Sequence, residues 1–210
     1  YELHTGFSSE YLFRGVELGE NLAEVGFDAA FETNGLTVSG GFWATAFDAD
    51  TEGSFRNNNN ISTGNQVDNE IDFYGEVSKD FGFLTAAVGY IYYYNVGNAN
   101  SAKGLGINDQ EVYFSVSRDL GFAQASLTYF WDIISNDGGN EGYSELALSR
   151  SFELNQCIDL NVATNVGYLV EGGDFTAWTT KVSIDWEFAE NAKLSPFITG
   201  SIALGESDGT

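Results

Sequence analysis

The chain carries 31 Asp and Glu against 8 Lys and Arg, a formal charge of −23. Where those carboxylates fall matters more than how many there are. In stretches that alternate between apolar and polar residues, the polar set contains Glu10, Glu24, Asp28, Glu32, Glu70, Asp72, Glu76, Glu111, Glu145, Asp159, Asp185 and Glu187. Arg14 and Lys181 share that set, and His4 stands beside it. Rows of carboxylates along a path attract cations and repel anions. The same rows can instead fill a closed space, bonded to Arg14, Lys181, Tyr74, Tyr113 and water. The sequence leaves both arrangements open. Arg14 lies in a Phe-Arg-Gly string where the first strand meets its loop. It reads as a structural ion pair that fixes the first hairpin, with Glu10 or a loop carboxylate as partner, or else as a constriction.

Other chemistries find little to work with. The only histidine is His4, and no Gly-x-Ser-x-Gly elbow exists, so a nucleophile and its base are not paired in sequence and no enzyme is expected. Asp48-Ala49-Asp50-Thr51-Glu52 offers oxygen ligands. It lacks the glycine turn and distal bidentate Glu of a calcium loop and reads as a solvated acidic segment. One cysteine excludes an intrachain disulfide and a Cys-rich zinc site. No metal or cofactor is expected. The charge argues against nucleic acid as a partner, because phosphates need a basic face.

The elements that position these residues follow from the alternation. From Thr176 to Phe188 the even positions read Thr, Trp, Thr, Val, Ile, Trp, Phe, and the odd ones Ala, Thr, Lys, Ser, Asp, Glu. In a strand the two sets point to opposite faces. Eleven such segments recur, over about 2–12, 22–33, 36–48, 69–79, 83–94, 109–118, 121–132, 143–153, 158–169, 175–188 and 193–204. Their usual length, about ten to thirteen residues, exceeds that of soluble strands and suffices for a tilted strand to cross a bilayer, which takes about 9–11.

Tight links at Asn34-Gly35, Asp80-Phe81-Gly82, Asp119-Leu120 and Leu154 to Cys157 alternate with longer ones at about 13–21, 49–68, 95–108, 133–142 and 170–174. That rhythm suits a single barrel domain with short periplasmic turns and long extracellular loops. Aromatics gather at the strand ends. Tyr11, Phe13, Tyr92, Tyr94, Tyr129, Trp131, Tyr143, Tyr168 and Trp178 lie toward the long links, and Phe31, Phe81, Phe83, Phe122, Phe152, Trp186 and Phe188 toward the short turns. They read as two interfacial girdles. Eleven strands leave the count odd, so the expectation is an all-β, antiparallel, up-and-down transmembrane barrel of about twelve strands whose last strand lies outside the sequence.

The string Gly6-Phe7-Ser8-Ser9-Glu10-Tyr11-Leu12-Phe13-Arg14-Gly15 resembles the N-terminal signature of the TorF family of bacterial porins. Asn69-Glu70-Ile71-Asp72-Phe73-Tyr74-Gly75 and Val88-Gly89-Tyr90-Ile91-Tyr92-Tyr93-Tyr94, with Glu111-Val112-Tyr113 opening the next strand, are similar to it too. The likeness covers roughly residues 4–130. Val16-Glu17 replaces the Ser-Gln that often follows Arg-Gly. The resemblance implies a bacterial outer-membrane barrel, a pore for small solutes or cations, with lipid bilayer and lipopolysaccharide as its surroundings. It brings no catalytic residues. A homo-oligomer, or another outer-membrane protein as partner, stays open. So does a non-conducting barrel in a larger assembly, with the loops 49–68 and 95–108 or an edge at 193–204 as its contact surface.

Overall fold

The computed structural model describes residues 1–49, 67–96, 108–133 and 142–205. Strands β1 (Glu2–Phe13), β2 (Val16–Thr33), β3 (Leu36–Ala49), β4 (Val67–Asp80), β5 (Thr85–Asn95) and β6 (Asp109–Asp119) lead into β7 (Gln124–Asp132), β8 (Gly142–Asn155), β9 (Ile158–Leu169) and β10 (Asp174–Ala189). Two short strands follow, β11 (Ala192–Leu194) and β12 (Phe197–Ala203). All belong to one sheet, and each of β1 to β10 pairs antiparallel with its sequence neighbour. β11 and β12 both pair with β10, so together they form one edge, broken around Pro196. Proline has no N–H to give a ladder. Here its carbonyl still accepts from the Ile184 N–H at 3.0 Å.

Apart from the start of β2, the expected segments therefore appear within three residues at each end, the last of them split. One link differs. The stretch 13–21 is not a long loop: β1 and β2 meet at a two-residue turn, and β2 runs for 18 residues. Arg14 and Gly15 both have positive φ, at 52° and 83°, as do Asn34 and Gly35 at the next turn. Positive φ at both central positions is the hairpin turn whose twist matches the strands. Asparagine tolerates that backbone readily, whereas arginine is uncommon in it.

Two irregularities hid this hairpin. Pairing skips Leu18, because Tyr11 sits opposite Gly19 and Leu12 opposite Glu17. The ladder to β3 is interrupted between Glu20 and Ala23, where Asn21 has φ 54°. Each bulge breaks the period of two and increases local twist.

The sheet is rolled. The β1–β2 turn touches the far side of its own sheet, where Ser201 on β12 donates to the Gly15 carbonyl at 3.2 Å. A side chain on Gly15 would collide with Ala177 of β10. Burial is inverted relative to a water-soluble sandwich. Among the described residues, the buried hydrophobics are Tyr11, Leu22, Phe47, Tyr143 and Ala177. Phe7, Phe73, Phe114, Leu127, Leu146, Ile184 and Ile202 all face outward and exposed. The inner face is narrow enough to need small residues. Gly89 lies opposite Tyr113, whose ring passes over it to reach Glu76 at 2.8 Å. Gly89→Val is expected to displace that ring and cost about 1–3 kcal/mol, as overpacking does. A fall in the midpoint of thermal unfolding checks this.

No ladder joins β1 to β11 or β12. Both edges run in the same direction, since ten hairpin reversals separate them. A cavity of about 1920 Å³ lies between them, lined by β1, by β11–β12 and by inner residues of β8, β9 and β10. Antiparallel closure across this seam takes one strand running the opposite way.

Candidate functional site

The inner face divides into a wide region at the seam and a bonded constriction toward the β1–β2 turn. The constriction begins with the turn itself, which carries Arg14 into the lumen. Its two terminal nitrogens donate to the two carboxylate oxygens of Glu111 on β6, at 2.8 and 2.7 Å. The partner is thus 97 residues away, and not Glu10 or a loop carboxylate. Around the guanidinium stand Phe13, Phe130 and Tyr143, with ring centroids 4.8, 4.6 and 4.4 Å from its carbon. Tyr93 adds a second donor to Glu111 at 2.9 Å. A fork-to-fork pair held among ring faces is the strong form of this interaction.

Several other predicted lumen residues join this polar lining. Tyr11 donates to Glu70 at 3.0 Å, Trp43 to Glu24 at 2.7 Å and Tyr74 to Asp28 at 2.5 Å. His4 lies 3.3 Å from Asp28. Glu145 accepts from Asn165 at 3.1 Å and Tyr143 at 3.4 Å. Asp72 flanks Glu70 on the same face, with its Oδ1 buried. Near the short turns, Asp159 sits opposite Asp185, and Lys193 of β11 lies 3.8 Å from Asp185 and 3.9 Å from Glu2 across the seam. Glu10 and Glu187 line the wide cavity but stand exposed, and Glu32 is exposed by its turn. Lys181 places its ammonium over the Phe197 ring at 4.3 Å.

Three girdle assignments are corrected, since Phe13 and Tyr143 face the Arg14 guanidinium rather than an interface, and Tyr11 turns inward as well. Tyr11 does not stand at an interface: it is buried, packs on Phe47 with ring centroids 5.0 Å apart, and bonds to Glu70. The bulged β1–β2 pair turns it inward. The others keep the outer face. Tyr92 and Tyr94 stack at 6.4 Å and Trp186 lies 5.8 Å from Phe188. Trp131 and Trp178 are exposed, Tyr129 is half-buried, and Tyr168 packs edge-on against Phe175. The residues that sequence reasoning missed are Tyr93 and Phe130. For Phe130 the signal was parity, since it falls on the side of Asp132, whereas β5 carries no carboxylate to mark the side of Tyr93.

Most of the acidic segment Asp48–Glu52, the Asn57–Asn60 run and most of the long links at 49–68 and 95–108 lie outside the described residues. Among the described residues no helix is long and apolar enough to cross a membrane, which says nothing about crossing by strands.

A family profile spans nearly the whole of this sheet, matching residues 2–204. The chain belongs to the Gcw_chp family, a bacterial family of unknown function. The comparisons with curated proteins and with solved structures find no match. For a Gcw_chp protein, then, the name brings no activity, and function has to be argued from the two faces of the sheet and the Arg14 constriction.

Proposed function

We propose that this Gcw_chp protein is an outer-membrane β-barrel that passes small solutes, cations above all, through an acidic lumen. This is the role that the resemblance to TorF-family porins implies. One observation carries the reading, the sidedness of the sheet. Phe, Trp, Leu and Ile side chains stand exposed on the outer face, while Glu24, Asp28, Glu76, Glu111 and Glu145 bond within the inner one. Water is a poor solvent for that outer face and lipid a good one. In this reading the N-terminus and short turns are periplasmic, the long links are extracellular, and lipid and lipopolysaccharide cover the outside.

Planar-bilayer recording tests the proposal. Reconstituted protein is expected to give ohmic steps with potassium favoured over chloride. Chloride preference rejects the acidic path. Absence of steps from protein shown to be folded and inserted favours the second reading, a non-conducting barrel in a larger assembly. That reading draws on the Arg14 bonds that cross the lumen and on the two unpaired edges.

A further inference from the structure

The group around Arg14 has the construction of a receptor. A carboxylate presents both oxygens to one planar cation, a phenol fixes that carboxylate from the side, and aromatic faces enclose the cation from two further strands. Glu111 comes from β6, Tyr93 from β5, Phe130 from β7 and Tyr143 from β8, four consecutive strands of the wall. Arg14 comes from none of these. It arrives on the tip of a separate hairpin, in a backbone conformation uncommon for arginine. The wall therefore holds the receptor and the β1–β2 turn holds the occupant.

We infer that Glu111, Tyr93, Phe130 and Tyr143 form a binding site for guanidinium-bearing organic cations, which the chain's own Arg14 occupies in the absence of such a solute. The inference rests on the proposed porin role and names the solute class that the lumen selects. Guanidinium is favoured over a simple ammonium on two grounds. Its planar fork meets both oxygens of Glu111 in parallel bonds, and its flat face stacks on aromatic rings. A quaternary ammonium satisfies the rings but offers no donor to the carboxylate. The Tyr93 bond to Glu111 keeps the carboxylate aimed when Arg14 leaves. A tethered arginine competes with any free cation, so the site binds such a cation more tightly once Arg14 is removed.

The experiment vacates the site and offers a substitute. The full chain carrying Arg14→Ala is titrated with ethylguanidinium in detergent, beside the wild type and the Arg14→Ala, Glu111→Gln double variant. Tetramethylammonium is titrated as the donor-free comparison. Ethylguanidinium is expected to bind R14A at least about tenfold more tightly than it binds either other protein, and to raise the R14A unfolding temperature by about 5–10 °C at a hundredfold excess over Kd. Tetramethylammonium is expected to bind R14A more weakly than ethylguanidinium does. Equal binding to R14A and the double variant overturns the proposal, as does equal binding of the two cations. If R14A does not fold alone, recovery of the heat-shiftable folded band on refolding with ethylguanidinium becomes the readout, and no recovery overturns it. None of these measurements needs a current. A protein that binds ethylguanidinium but gives no conductance loses the porin role and keeps the site.

Discussion

Leu146→Arg is expected to prevent the chain from inserting into lipid vesicles, while Ala147→Arg one position along leaves insertion intact. Leu146 lies mid-wall on the outer face, between Leu127 of β7 and Val166 of β9, and is 51% exposed. Ala147 points the other way and lines the wide cavity. If lipid covers the outer face, arginine at such a depth costs about 2–4 kcal/mol. A comparable charge inside the lumen meets water and carboxylates, and is close to neutral or favourable in a chain of charge −23. The sign is what makes the pair informative. On a water-exposed sheet, replacing an exposed leucine by arginine is harmless or improves solubility, whereas crowding an inner alanine is the costlier change. The two environments therefore predict opposite rankings. Counting inserted, protease-protected protein for each variant decides between them, and equal insertion of both removes the lipid-facing assignment.

The contrast between adjacent residues also explains what the sequence made legible. Side-chain direction in a strand repeats every two residues, so any stretch with one apolar face and one polar face announces both at once. That is why β3, β9 and β10 are placed from their residues alone, and why Glu24, Asp28, Glu76, Glu111 and Glu145 are put on one wall. The same dependence on an unbroken period accounts for the failures. At Leu18 and Asn21 the ladder gains residues, the alternation loses phase, and Glu17 to Asn21 read as loop although they are strand. Tyr11, carried by that bulged pair, turns inward to Glu70.

The Arg14 constriction was hidden for another reason. Its partners come from β5 to β8, and which inner residue faces which across a rolled sheet depends on curvature and stagger, which no local pattern records. Arg14 and its ring-lined surroundings were each visible, but their meeting was not. Pro196 is an intermediate case. Its type marks an edge position, while the split into β11 and β12 needed the pairing to β10 to be seen.

Arg14→Ala is expected to destabilise the folded chain by about 3–5 kcal/mol, the usual result of removing one partner from a buried ion pair. The side chains of Arg14 and Glu111 are 21% and 7% exposed, so neither charge is rehydrated easily when the other goes. Arg14→Lys is expected to recover only part of the loss, because an ammonium cannot span both oxygens or stack on Phe130 and Tyr143. Glu111→Gln alone strands the guanidinium, though the ring faces still support it. The double variant, with no unpaired charge left, is expected to be more stable than the sum of the single effects allows. A coupling well above about 1 kcal/mol in that cycle, measured by denaturant unfolding in detergent, places the hairpin tip inside the lumen. An exposed pair at the rim gives about 0.2–1 kcal/mol and shrinks further in salt. The same variant has a second consequence. With Arg14 gone, the bridge from the β1–β2 turn to β6 is cut while every wall carboxylate stays, so single-channel steps are expected to become larger and more cation-selective. Smaller or unchanged steps mean that the narrowest part of the path lies elsewhere.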